Sequence, residues 1–155
     1  MSLKNDCPSI DVRTGAGTLA VAAKSQAPTA NDLRYQLTFS EMARQCFSDG
    51  GIVRIRAGVQ GRVVVGPAGA PPQVSVPIRY AVVQEGVTPK TIVTKFRRIG
   101  VSVPPGDINV VFTDIEEDLS FPMPPIHQLQ AYVVYVGFDD IAETRPASKR
   151  KAPKK

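Results

Sequence analysis

The feature that most constrains this chain is an alternation of apolar and polar residues with a period of two, recurring from residue 33 to residue 138. Successive side chains of a β-strand point to opposite faces, so this alternation gives one face to a core and the other to water. No helical period of comparable length is present, and the pattern therefore predicts an all-β fold. The clearest series are Leu33, Tyr35, Leu37 and Phe39; Val53, Ile55, Ala57 and Val59; Val74, Val76, Ile78, Tyr80 and Val82; and Tyr132, Val134, Val136 and Phe138.

Glycine and proline divide the alternating segments into short strands, as is typical of a two-sheet sandwich. We predict an immunoglobulin-like sandwich rather than a closed barrel, with firm turns at residues 14–17, 48–51 and 104–107. Pro77 has no backbone N–H to donate, so its strand is expected at a sheet edge or at a bulge. The candidate strands cover residues 10–13, 19–22, 33–45, 52–59, 62–65, 74–83, 91–97, 100–103, 108–113, 119–123 and 132–138.

The 155 residues favour one domain, which we place at residues 10–140. Residues 1–9 are interpreted as a lead-in whose Met1-Ser2-Leu3 resembles a recombinant start, so that the native amino terminus and any export signal are absent. Residues 141–155 are predicted to be a disordered basic tail. The tail explains the charge: its six Lys and Arg account for more than the net +5 and leave about −1 for residues 1–143.

Cys7 and Cys46 are the only two cysteines. In an exported protein a small, even number of cysteines usually means a disulfide, and we predict a Cys7–Cys46 bond. The alternative is two unrelated free thiols in a cytosolic protein. A zinc site is disfavoured because two cysteines and one histidine are too few for the usual four ligands.

Residues that could support catalysis have simpler interpretations. His127 is the single histidine and follows a proline-rich segment, where a surface or structural role is the usual one. Asp114, Glu116, Glu117 and Asp118 lack the spacing of a calcium loop, and we interpret them as a solvated loop. A hydrolase that used His127 with these acids is the enzymatic alternative. We predict no catalytic residue, no metal, no cofactor and no small-molecule substrate.

Basic residues suggest a possible contact with anions. Arg54, Arg56 and Arg62 are expected on the solvent face of one strand, together with other strand cations at positions 79, 95, 97 and 98. Lys149, Arg150 and Lys151 in the tail would add weak, salt-sensitive attraction to an anionic surface. A module that binds nucleic acid or another polyanion through these residues is therefore one alternative function.

Several short motifs resemble an uncharacterised family of envelope lipoproteins from alphaproteobacteria. They are Cys7-Pro8 before a strand, Cys46 at the end of a long strand, Val53-Arg54-Ile55-Arg56, Gly66-Pro67-Ala68, the segment Pro77 to Val83, and Val136-Gly137-Phe138. The resemblance implies a cell-envelope location and an oxidising compartment, and it implies no activity.

These observations lead to one expected function. We expect a non-enzymatic envelope protein of the periplasm or outer membrane, lipid-anchored in its native form, with a structural or protein-interaction role. Its partner is expected to be another envelope protein or a second copy, and strand addition at the Pro77-containing edge is one plausible mode.

Overall fold

The protein is described by a computed structural model that covers residues 6–24 and 27–140. Eight strands form, together with one short 3-10 turn (Ala30–Asp32) and one four-residue helix, α1 (Ile126–Leu129). The strands are β1 (Ser9–Val12), β2 (Thr18–Ala22), β3 (Leu33–Asp49), β4 (Ile52–Val65), β5 (Gln73–Gln84), β6 (Lys90–Ser102), β7 (Asn109–Pro122) and β8 (Tyr132–Phe138).

The strands make two four-stranded sheets that pack face to face, which confirms the predicted sandwich architecture. Sheet A has the order β2-β3-β4-β7, and sheet B has the order β1-β8-β5-β6. Every neighbouring pair is antiparallel except β1 and β8, which are parallel. On one side of the sandwich the two sheets end in their long strands β6 and β7, and this side positions the residues discussed below.

The core lies between the sheets and is built from the alternating residues that the sequence predicts to be inward. On β4, Val53, Ile55, Ala57 and Val59 are buried, while the residues between them are at least partly exposed. The facing side chains of sheet B come from the inward series of β5 and β8, including Ile78. Apolar burial of this kind is the main favourable contribution to folding.

The strands are longer and fewer than predicted. As predicted, residues 62–65 continue the strand of residues 52–59, which together form β4. The candidate strands at 91–97 and 100–103 merge into β6, and those at 108–113 and 119–123 merge into β7. Gly61 does not interrupt β4 because its missing Cβ makes room for the Phe112 ring, which a Cβ would approach to 2.5 Å. The register shifts lie nearby, between Phe39 and Glu41 on β3 and between Ile55 and Ala57 opposite β7.

The predicted edge position of the Pro77 strand is wrong, because β5 lies between β6 and β8. The alternative prediction, a bulge, corresponds to a register shift against β6 at residues 82–83, away from Pro77 itself. The reason is the length of β8, whose last paired residue, Phe138, lies opposite Ile78. The Pro77 C=O accepts the Asp139 N–H just past that end (3.1 Å), and in an antiparallel ladder both backbone groups of a residue face the same neighbour. The missing N–H therefore faces the end of β8 and costs no ladder bond. Strand addition at a Pro77 edge is accordingly excluded.

The predicted turns are confirmed and depend on glycines with positive φ. Gly50 and Gly51 join β3 to β4 at φ 60° and 82°, and Gly106 turns the chain between β6 and β7 at φ 89°. This backbone region is accessible to glycine at little cost and is strained for other residues. The turn at residues 14–17 packs on β8, where the Phe138 N–H donates to the Ala16 C=O at 2.9 Å.

Candidate interaction surface

The predicted Cys7–Cys46 disulfide is present, with the two Cα atoms 5.6 Å apart. Cys46 is buried on β3, and Arg44 of the same strand donates hydrogen bonds to the carbonyls of Pro8 (2.8 Å) and Cys7 (3.4 Å). The bond and these two contacts tie the segment before β1, which pairs in sheet B, to a strand of sheet A. The cysteines therefore link the two sheets at the amino-terminal side of the sandwich.

His127 and the acidic residues do not form a common site. His127 is exposed on α1, whereas Glu116 is buried, pairs with Arg97 and accepts a hydrogen bond from the Asp118 N–H. Glu117 pairs instead with Arg56, at 3.0 Å. Within residues 6–24 and 27–140, no three His, Cys, Asp or Glu side chains are grouped so that they could hold a metal ion.

The acidic residues are a strand and not the solvated loop that the sequence suggested. Asp114 and Glu116 point from β7 toward the space between the sheets and are only 9% and 6% exposed. Arg97 of β6 neutralises both: its Nε lies 3.1 Å from each Asp114 carboxylate oxygen, and its Nη1 lies 3.1 Å from Glu116 Oε1. The Tyr80 hydroxyl donates to Asp114 Oδ2 at 2.8 Å. Buried carboxylates are stable in a strand only when they are paired in this way.

The proton equilibria of this cluster follow from burial and from its charges. Burial raises the pKa of Tyr80 well above its ordinary value, and the hydrogen bond to Asp114 raises it further. Burial by itself lowers the pKa of Arg97, but the charge and hydrogen bond of Asp114, with the charge of Glu116, outweigh it and raise that pKa. The charged guanidinium of Arg97 and the protonated phenol of Tyr80 are therefore the stable forms at neutral pH.

Arg97 has a third contact, which places it at the rim of sheet A. Its Nη2 donates to the main-chain carbonyl of Ile115 at 2.9 Å. A side chain from sheet B thus bonds to the backbone of the strand that ends sheet A. Arg97 was predicted on a solvent face. The alternation within β6 indicates the inward side instead, because Arg97 is two residues before Ile99 and four before Val101, which face inward.

The three arginines predicted to bind anions do project from the same outer face of β4, but each has a local partner. Arg54 stacks over Phe47 at 4.6 Å, and Arg56 pairs with Glu117. Arg62 donates to the Asn109 side chain at 3.3 Å. Arg62 is six residues beyond Arg56, about 20 Å along the strand, so the three do not converge on one small anion. Their role in anion binding stays a prediction.

The same outer face carries most of the exposed aliphatic side chains. Of the seven large hydrophobic residues exposed in the described part of the chain, five lie on β4, on β7 or directly before β7. We call the outward side chains of these two strands the β4–β7 face. Arginines between exposed aliphatic residues are a composition typical of protein interfaces. Ile52 and Val64 of β4 and Val111 and Ile115 of β7 belong to this face, and the fifth residue, Ile108, lies directly before β7.

A second surface feature is an open groove of about 530 Å³ on the outer face of sheet B. Its lining includes Ala81 and Gly137 together with Arg13 and Arg79. Arg79 pairs with Asp139 at 2.7 Å, and Arg13 lies over the Tyr135 ring at 5.2 Å. Tyr135 is held by a hydrogen bond to Glu85, which raises the pKa of its hydroxyl. These contacts engage Arg13, Arg79, Tyr135 and Asp139 of the groove.

Lys149, Arg150 and Lys151 lie outside the described residues, as does the rest of the predicted tail. Comparison with known proteins found no match among family models, curated proteins or solved structures. The resemblance to envelope lipoproteins therefore stays a prediction. No helix in residues 6–24 and 27–140 has the length and apolarity needed to span a membrane.

Proposed function

We propose that this chain is a non-enzymatic protein of the cell envelope that works by binding another protein. The observation that carries the proposal is the β4–β7 face, where exposed valines and isoleucines share one side of the sheet with three arginines. Such a face can bury apolar area while its arginines hydrogen-bond to carbonyl and carboxylate groups of a partner.

Two further observations support this proposal. The Cys7–Cys46 bond is of the kind that persists in oxidising compartments, which fits the periplasm or the outer membrane. The polar side chains that most resemble a catalytic group, namely Tyr80, Asp114 and Glu116, are bonded to one another or to Arg97. They hold the sheets together, and none of these three side chains is free to act on a substrate. The lipid anchor of the native form rests on the family resemblance alone.

Binding of nucleic acid is the weaker candidate. It needs Arg54, Arg56 and Arg62 to release their present partners and to act together over a long distance. It also predicts a steep loss of affinity with salt, because phosphate contacts release counterions. The aliphatic side chains of the same face have no role in that function.

The test is site-specific photocrosslinking in the cell that naturally makes the protein. A photoreactive amino acid at Val64 probes the β4–β7 face, and one at exposed Ser75 on the outer face of sheet B is the matched control. We expect adducts with another protein from Val64 only, in the envelope fraction, with both cysteines resistant to alkylation. Equal adducts from both positions, no adduct from Val64, or freely alkylated cysteines in a cytosolic fraction would overturn the proposal.

A further inference from the structure

The strand β7 ends sheet A, and its backbone shows which groups face the open edge. The Val65 N–H donates to the Ile108 C=O at 2.9 Å, so residue 108 directs its backbone toward β4. In an antiparallel ladder this direction alternates from residue to residue. The backbone groups of Asn109, Val111, Thr113 and Ile115 therefore point away from β4, toward a side on which no strand of the described chain pairs.

One half of this edge is protected and the other is not. At Ile115 the open carbonyl is capped by Arg97, and the following residues, Glu116, Glu117 and Asp118, are acidic. Inward charges and side-chain caps are common means of blocking an edge strand against pairing. The preceding segment 109–113 (Asn-Val-Val-Phe-Thr) has no charge and no proline, and its Val111 is 47% exposed. It has the composition of a strand that accepts another strand.

The unprotected segment is complementary to itself. In an antiparallel pair centred on Val111, each Val111 lies opposite its counterpart, and each Asn109 lies opposite the other Thr113. On the inward side each Val110 lies opposite Phe112. All of these pairs are uncharged and most are β-branched or aromatic, which are the favourable cross-strand combinations. In this register the paired segment of each copy ends at Thr113, before the acidic residues that follow Ile115.

The neighbouring strand of sheet B places no charge at this position. Arg97 of β6 lies beside Ile115 of β7, and only residues 103–108 connect the two strands, which consequently run in opposite directions. Counting along both strands from that contact places Gly100 and Val101 beside Val111. A two-fold axis through Val111, perpendicular to sheet A, thus brings the two copies of Val111 together in sheet A. In sheet B it brings Gly100 and Val101 of the two copies near each other, and the cations of β6 lie away from the axis.

From this edge we infer that two copies of the chain pair through residues 109–113 of β7, extending sheet A into one eight-stranded sheet. This inference rests on the proposed function, because it names a second copy of the chain as one of the proteins that bind beside the β4–β7 face. A C2 pair of this kind closes on itself and forms no open filament, since each edge is used once. The ladder supplies main-chain hydrogen bonds, and Val64 and Ile108 lie beside it.

The test is the oligomeric state of the purified full chain by sedimentation velocity over a range of concentrations. Val111→Pro removes an N–H that faces the open edge and leaves the ladder with β4 intact. Val111→Lys places like charges opposite each other at the two-fold axis. Gln60→Lys is the matched control, because it adds the same charge to the same face one strand away from the edge.

We expect a reversible dimer for the wild type and for Gln60→Lys, and a dissociation constant at least about tenfold higher for both Val111 variants. Urea unfolding establishes that each variant is folded, and Val111→Lys decides the matter if Val111→Pro does not fold. A wild type that is monomeric at the highest concentration reached would overturn the inference, as would an unchanged dimer in Val111→Lys. A monomer that still crosslinks another protein through Val64 would overturn self-pairing alone and leave the proposed function standing.

Discussion

At the scale of single residues, Arg97 has the most consequences in this molecule. It neutralises Asp114 and Glu116, bonds the carbonyl of Ile115, and lies 5.9 Å from the Tyr80 ring. The planar guanidinium makes these contacts at once because its donors are held in a fixed fork, which the single ammonium of lysine cannot reproduce. One side chain thus joins the rims of the two sheets.

Replacing Arg97 by Ala should destabilise the protein by about 3 kcal/mol. Breaking a buried pair leaves uncompensated carboxylates, and the effect lies at the lower end of its range because the guanidinium is 37% exposed. Arg97→Lys should recover only part of the loss. Urea unfolding at neutral pH measures both variants. A triple variant, Arg97→Met with Asp114→Asn and Glu116→Gln, should be more stable than Arg97→Ala, and a triple variant that is less stable would contradict the charge argument.

Tyr80 should make the protein sensitive to alkali. Its folded pKa is raised above the ordinary value of 10.0, so the stabilisation is fully present below about pH 10. As the pH rises above 10 the unfolded state loses its proton first, and the free energy of unfolding falls until the folded pKa is passed. The midpoints of urea unfolding, measured from about pH 9 to about pH 11 around the ordinary tyrosine pKa, follow this decline in stability.

The matched variant is Tyr80→Phe, which removes the hydrogen bond to Asp114 and should lower the free energy of unfolding by about 1 kcal/mol at neutral pH. Its free energy of unfolding should then fall less steeply with alkaline pH than that of the wild type. Tyr135 remains in both proteins, so its own contribution cancels in the comparison. Identical alkaline slopes for the two proteins would refute the assignment to Tyr80.

At the scale of elements, β4 is the strand on which sheet A depends, since it pairs with both β3 and β7 along its whole length. Its inward and outward residues keep one phase from Ile52 to Val65, and the irregularities fall on its two neighbours. The two interior glycines of β4 have different roles, although the sequence presents them alike. Gly61 lies under the Phe112 ring, whereas Gly58 faces outward beside Ile115.

Gly61→Ala should cost at least about 2 kcal/mol, because its Cβ would lie 2.5 Å from both the Phe112 ring and the Thr38 carbonyl. Gly58→Ala is the control, as its Cβ would meet Ile115 at an ordinary 3.6 Å. It should be neutral or slightly stabilising, since alanine has less conformational freedom to lose than glycine. Thermal unfolding measures both variants. Equal effects would show that the Phe112 contact is not what constrains Gly61.

At the scale of the whole molecule, the sandwich is held at both sides by different chemistry. The ion cluster of Arg97 joins β6 to β7, and the Cys7–Cys46 bond joins the segment before β1 to β3. The bond closes a separation of 39 residues and retains β1, a strand of only four residues that pairs with β8. Without it, β1 depends on its backbone ladder and on the two hydrogen bonds from Arg44.

Replacing both cysteines by serine should cost about 4 kcal/mol in the chain-entropy description of a loop of this length. Reduction of the wild type should produce a comparable loss, which makes the reduced protein the matched control. Urea unfolding measures the loss, and hydrogen exchange of residues 9–12 reports whether β1 opens first. If the free energy of unfolding falls by less than about 1 kcal/mol in both the serine variant and the reduced wild type, the bond does not stabilise the protein by constraining the unfolded chain.

The sequence alone was sufficient for the all-β class, the inward series on β4, β5 and β8, the glycine turns and the disulfide. These follow from local chemistry: alternation reports which side of a strand is buried, positive φ favours glycine, and two cysteines that bond within the chain allow only one pairing. The strand boundaries were less predictable. Residues 114–118 look like a loop because nothing local compensates four acidic residues. Arg97 in the other sheet compensates Asp114 and Glu116, and Arg56 of β4 pairs with Glu117.

Only the tertiary structure decided which strands lie at the edges and which charges meet. Pro77 was expected at a sheet edge, yet it lies in a central strand. The strand tolerates proline because β8 ends opposite Ile78, one residue short of pairing with Pro77. The open edge of β7 and the β4–β7 face depend in the same way on how β7 and β4 are ordered in the sheet. The physical reason is that alternation fixes the face of a residue, whereas an edge is a relation between strands distant in the chain.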